Sequence, residues 1–161
     1  MFRSILVAVD RSPASRKALA EAIDLALDSG ARLTLMSVAE LPRWRIYGYP
    51  MVVPYPDQAQ LVRQAEAIVE EAEALVPQGV PVSTVVRWGP VVTEILKRVR
   101  NGEHDLVVVG SRGLGPAGSL ILGSISRAVL AKSPVPVLVA RAEPSRQPEK
   151  RRRKRPEAQV A

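Results

Sequence analysis

Five short apolar runs recur along the 161-residue chain: SILVAVD (4–10), ARLTLMSV (31–38), VPVSTVV (80–86), DLVVV (105–109) and VPVLVA (135–140). All five read as strands, and SILVAVD, an apolar run rich in β-branched residues, reads as a buried one. Between them lie segments of helical period, each long enough for a crossover. Strand and helix in alternation specify an α/β domain, with a mainly parallel sheet and helices on both faces. The length suits one well-buried domain and is too short for two.

Local signals punctuate the pattern. Ser12-Pro13 supplies an N-cap followed by a first-turn proline, and Ala18, Leu19, Ala22, Ile23 and Ala26 recur at helical spacing until Gly30. The second helix presents Leu61, Val62, Ala65, Ile68, Val69, Ala72 and Leu75 on one face. Gly89-Pro90 opens a third helix carrying Val92, Ile95, Leu96 and Val99, with Trp88-Gly89 ending the strand before it. Residues 39–56, AELPRWRIYGYPMVVPYP, hold four prolines and fit no period, so they read as a long loop. Trp44, Tyr47, Tyr49 and Tyr55 in that loop could cover a base, form an interface or cap the core.

Composition removes several function classes. The chain has no cysteine, which excludes disulfides, thiolate chemistry and cysteine-ligated zinc. No apolar run approaches the ~20 residues of a membrane span, so no membrane partner is expected. The start, MFRSILVAVD, lacks the pattern of a signal peptide, and a cytoplasmic location is expected. The formal charge of +7 is concentrated at the end, where residues 141–161 carry eight Lys/Arg and three Glu. Residues 142–161 therefore read as a basic, disordered tail, either a solubilising appendage or a nucleic-acid contact working by counterion release. His104 is the only histidine and cannot build a metal site or a triad alone, so in the loop NGEHD it reads as a surface residue. Glu66, Glu70, Glu71 and Glu73 read as a solvated helix face.

The stretch GSRGLGPAGSLILGSIS, residues 110–126, holds five glycines and four serines and suggests a backbone that wraps an anion. A P-loop, GxxxxGK[ST], is absent. Gly113-Leu114-Gly115-Pro116-Ala117-Gly118 matches GxGxxG formally, but the acid that a dinucleotide site needs about 20 positions on is missing: position 138 is Leu and the next acid is Glu143. The third pattern is Gly110-x2-Gly113-x9-Gly123-Ser124. Gly110 and Gly113 would let the chain turn off the strand end and approach a phosphate. Gly123 and Ser124 would start the last helix, where free N–H groups and the dipole favour an anion. Ser124 and Ser126 add hydroxyls, and Arg112 could reach a terminal phosphate.

Asp10 ends the first strand and Gly110 the fourth, so if those strands are neighbours both border one crevice. The Asp10 carboxylate suits a ribose hydroxyl or Mg²⁺, and it equally suits a place at the start of the Ser12 helix.

GSRG, nine residues and GSIS, together with SILVAVDRSPAS, the SVA ending of the second strand and SPVPVLVAR, resembles the universal stress protein family across residues 3–141. The resemblance implies a single open five-stranded Rossmann-like sheet of order 3-2-1-4-5 over residues 1–141. It implies an ATP site in which Ala8, Val9 and Asp10 line the adenine and ribose side and the backbone of Val38 holds the adenine. Gly110, Ser111, Arg112, Gly113, Gly123, Ser124, Ile125 and Ser126 are the other cofactor-binding positions, with Asp10 the candidate ligand for nucleotide-borne Mg²⁺. A homodimer through Val135–Ala140 follows from the same resemblance. The expected function is an ATP-binding stress-response regulator that signals to a downstream protein through loops 39–57 and 112–122. The alternatives are a slow ATPase or nucleotidyl-type enzyme, or a nucleic-acid-associated protein acting through its tail. Binding is favoured over catalysis because the site segments carry no acid except Asp10, no histidine and no SGGxDS-type loop.

Overall fold

Successive side chains of a strand point to opposite sides of a sheet, so an inner strand covered on both sides is expected to be largely apolar. The computed structural model describes residues 1–40, 57–111 and 122–141; its inner strands are largely apolar, and the small polar residues among them, Ser4, Thr34 and Ser37, are buried as well. Strands β1 (Ser4–Ala8), β2 (Arg32–Ala39), β3 (Val82–Trp88), β4 (Leu106–Gly110) and β5 (Val137–Ala140) form one sheet in the order 3-2-1-4-5. Every neighbouring pair is parallel. Helices α1 (Pro13–Ser29), α2 (Gln58–Glu73), α3 (Val91–Arg100) and α4 (Ser124–Lys132) connect them. This is the doubly wound architecture expected above.

Ile5, Val7, Leu33, Leu35, Leu106 and Val108 pack on one side against Ala18, Leu19, Ala22 and Ala26 of α1 and Val69 and Ala72 of α2. Leu6, Met36, Val107 and Val109 pack on the other against Ile95 and Val99 of α3 and Val129 of α4. Each Val, Leu, Ile or Met side chain among them contributes about 1.5–3 kcal/mol when fully buried, which makes this two-sided core the main stabilising term.

The caps of α1 form where the sequence places them. Ser12 Oγ accepts the Ser15 N–H at 3.1 Å and Pro13 opens the helix. Gly30 closes it in the left-handed region, at φ 68°, with its N–H on the Ala26 carbonyl at 2.8 Å. Elsewhere boundaries move. Helix α2 stops at Glu73, and bonds from Leu75 N–H to the Ala72 carbonyl and from Val76 N–H to the Glu73 carbonyl turn the chain away. Leu75, expected on the apolar face, is therefore 61% exposed. Strand β3 begins at Val82 because Val80 closes a turn onto Pro77, and Ala39, read as loop, belongs to β2 through its pairing with Trp88. Strand β5 starts at Val137, since Ser133 and Val135 bond to each other in a local turn.

His104 overturns its reading as a surface residue: it is buried, with Nδ1 3.0 Å from Ser4 Oγ. The cause lies next door. Asp105 accepts the N–H groups of Arg3 and Ser4 at 2.8 and 3.0 Å, which draws the polar loop under the start of β1. The rest of the long loop, with its four aromatics, and the tail 142–161 lie outside the described residues.

The C-terminal end of β4 meets the first turn of α1 without room for a side chain. A Cβ on Gly110 would stand 2.7 Å from the Ala14 carbonyl carbon and 2.8 Å from the Ser15 nitrogen, both backbone atoms. Forced overpacking of this kind costs typically about 1–3 kcal/mol. Gly110→Ala should therefore lower the unfolding free energy obtained from urea denaturation by that amount without any ligand present. A variant as stable as the parent would show that α1 can move away freely.

Candidate functional site

Chain order and sheet order together place the site. From β1 the chain goes to β2 and β3 on one side, then crosses to β4 and β5 on the other. Helices α1 and α4 leave the carboxyl ends of the adjacent strands β1 and β4 toward opposite faces, and the space between them is the crevice where open α/β sheets bind ligands. Asp10 and Gly110 border it together, as their positions at adjacent strand ends require.

On the β1 side, Ala8 and Val38 are half-buried against the α3–α4 core, while Val9 is buried in the α1–α2 core. The Val9 N–H donates to the Met36 carbonyl at 2.9 Å, extending the ladder past the strand end. Asp10 is exposed; its N–H donates to Ser15 Oγ at 2.8 Å, and its Oδ1 accepts the Ser12 N–H at 2.8 Å. The carboxylate thus organises the start of α1 while standing at the crevice.

On the β4 side, three bonds fix where α4 begins. The Ser111 N–H donates to the Ala140 carbonyl at 2.6 Å, the Gly123 N–H to the Ser111 carbonyl at 2.7 Å, and Ser126 Oγ to the Gly110 carbonyl at 2.6 Å. Gly123 is the N-cap and provides no side-chain cap; the first turn of bonding is Arg127 N–H to the Gly123 carbonyl at 3.0 Å. The N–H groups of Ser124, Ile125 and Ser126 consequently have no partner within the helix, and the positive end of the dipole lies with them. Ser124 and Ile125 are exposed. The Ser126 hydroxyl hydrogen is already engaged, so its backbone N–H is the donor it has to offer.

Two contributors had no clear sequence signal. Ser15 anchors Asp10, and Arg127 holds the Leu122 carbonyl through Nη2 at 3.0 Å, steadying the entry to α4. Arg112 and Gly113 lie outside the described residues. Among the described residues no group of three or more His, Asp or Glu could hold a metal ion, and no helix is long and apolar enough to cross a membrane.

Residues 1–141 match the Universal stress protein family. A universal stress protein of Thermus aquaticus is 36% identical over 143 residues, covering 88% of this chain and all of that one. Among solved structures, a universal stress protein in complex with cAMP superposes with a TM-score of 0.60 at 22% identity, over 88% of this chain and 98% of that one. A universal stress protein family protein from Arabidopsis thaliana with AMP bound gives 0.58 at 21% identity, over 92% and 97%. These two likenesses are of fold. The family match over 141 residues and the close relative together show that the chain belongs to the universal stress protein family.

Proposed function

We propose that this protein is an ATP-binding regulator and that the nucleotide occupies the crevice between the ends of β1 and β4. One observation carries the reading: the uncapped start of α4, with three backbone N–H groups unbonded within the helix, is anchored to the ends of β4 and β5 beside that crevice. Backbone donors at a helix start suit phosphate oxygens. Gly123 sits at φ −59° and ψ 156°, a conformation open to any residue, so backbone freedom does not explain a glycine there. Room for a ligand does. The solved relatives that carry cAMP and AMP share adenine, ribose and phosphate with ATP, and support an adenine nucleotide as the ligand.

In this reading Ala8, Val9 and Val38 flank the base, Asp10 faces the ribose, and Ser124, Ile125 and Ser126 hold phosphate through their N–H groups. Magnesium fits only as a nucleotide-borne ion. Asp10 brings a carboxylate to the crevice, and Mg²⁺ is commonly held by one or two carboxylates with the substrate's phosphates. Regulation is favoured over turnover because His104, the chain's one histidine, stands at the far end of β4 from the crevice. Calorimetry of nucleotide-free protein should show saturable binding of Mg-ATP, with ADP and AMP titrated alongside to rank the phosphates. Gly123→Val should weaken it about tenfold or more, the loss of one or two charge-assisted bonds, while the ligand-free protein loses only the roughly 1 kcal/mol that a poorer N-cap costs. At ~100 times the dissociation constant, ATP should stabilise the parent by about 2.7 kcal/mol. Absence of heat with all three nucleotides would sink the reading.

Among the described residues the sheet ends at β5, whose outer edge pairs with no strand and is flanked by half-buried Val135, Val137 and Val139. An apolar edge of this kind invites a second strand, and we assign it to a second copy of the chain. Light scattering at micromolar concentration should give twice the 17.5 kDa chain mass; a value at 17.5 kDa would overturn the assignment.

A further inference from the structure

Three strands begin around one buried imidazole at the end of the sheet opposite the crevice. His104 is 5% exposed and stands two residues before β4. Its Nδ1 lies 3.0 Å from the Oγ of Ser4, the first residue of β1. That oxygen also accepts from Nε of Arg32, the first residue of β2, at 3.1 Å, and Arg32 Nη2 donates to the Glu103 carbonyl at 3.4 Å. Asp105 closes the arrangement by accepting the Arg3 and Ser4 N–H groups while its own N–H donates to the Ser4 carbonyl at 2.9 Å. His104 Nε2 is shut off from solvent and has no hydrogen-bond partner among the described residues, as is Arg98 Nε.

The charges around the ring come from every element packed there. Arg98 of α3 and Arg32 of β2 oppose a positive imidazole, whereas Glu103 and Asp105 in its own loop favour one. From β1 come the Ser4 hydroxyl and Arg3, whose charge faces Asp105. Arg98 is partly balanced by its ion pair with Glu103 at 2.7 Å. Burial, and after it the Arg98 guanidinium, hold the ring's pKa below its ordinary 6.5.

We propose that His104 is an acid-sensitive latch: the neutral ring ties the starts of β1, β2 and β4 together through Ser4, and its protonation loosens them. A neutral ring with its proton on Nε2 takes the Ser4 O–H at Nδ1 while Ser4 Oγ takes the Arg32 N–H, so the chain from Nδ1 through Ser4 to Arg32 is satisfied. A second proton turns Nδ1 into a donor, strips the Ser4 hydrogen of its acceptor, and buries a cation beside Arg98. The unfolded chain takes up that proton more readily than the folded one. Stability is therefore full above pH 6.5, falls as the pH drops below it, and levels off beneath the folded-state pKa. Burial raises Asp105, but the backbone bonds from Arg3 and Ser4 outweigh it and hold that carboxyl below its usual value, so its protonation belongs to a lower range.

Because the chain has one histidine, the proton on its Cε1 gives a single assignable NMR signal in the intact protein. The expected titration midpoint is below 6.5; a midpoint at or above 6.5 would overturn the latch. Urea unfolding between pH 7.5 and 5 provides the second arm. The parent's folding constant should fall by up to about tenfold per pH unit within the window, the limit for one proton, whereas His104→Gln should lose most of that dependence. Equal pH dependence in the two proteins would also overturn it. If His104→Gln does not fold, the midpoint in the parent decides alone.

Discussion

Strand β1 has no free edge, and the arrangement of both ends of the molecule depends on that. Its residues pair with β2 from Ser4 opposite Arg32 to Ala8 opposite Met36, and with β4 from Ile5 opposite Leu106 to Val7 opposite Val108. Ile5, Leu6 and Val7 are fully buried, alternating between the two cores. A slip of one residue would exchange those faces, so the register is strongly specified. Once it is set, Asp10 and Gly110 must emerge side by side at one end, and Ser4 and His104 must meet at the other.

The crevice inherits its rigidity from the same pairing. Helix α4 begins where Ser111, Gly110 and Ala140 hold it, so its free N–H groups are oriented by strand ends. A site positioned by strands and helices keeps its geometry better than one resting on loop conformation. On the opposite face, the alanines of α1 and the absence of a side chain at Gly110 bring that helix close against β4. The proposed nucleotide site and the core thus share one residue, Gly110, whose carbonyl also takes the Ser126 hydroxyl.

What the sequence disclosed follows the range of the interaction concerned. Ser12, Pro13 and Gly30 act on neighbours three or four residues away, and the apolar runs report burial directly, so α1 and the strands were legible. The sheet order was not contained in the alternation, which fits several orders; it came with the family resemblance. Leu75 and the start of β3 shifted because turns at Ala72–Val76 and Pro77–Val80 end the periodic pattern early. His104 was misread because NGEHD has the composition of a surface turn, and what buries it is a carboxylate bonding to residues 101 and 102 positions away. No local pattern contains that contact. The anion-binding look of the glycine stretch was legible, whereas the engagement of the Ser126 hydroxyl and the Gly123 N–H needed the fold.

The glycine signature is two devices with different physical causes. Gly110 is small because the backbone of α1 stands where its Cβ would be. Gly123 adopts a conformation that any residue accepts, and in the reading proposed above its smallness serves what approaches the start of α4. The bond from the Gly123 N–H to the Ser111 carbonyl brings the two ends of the intervening segment within 2.7 Å, so that segment has no distance to bridge. The entropy of closing a loop grows slowly with length, about 0.6 kcal/mol for each doubling. In the same reading, the anion-facing surface is created by a strand end and a helix start bonded to each other.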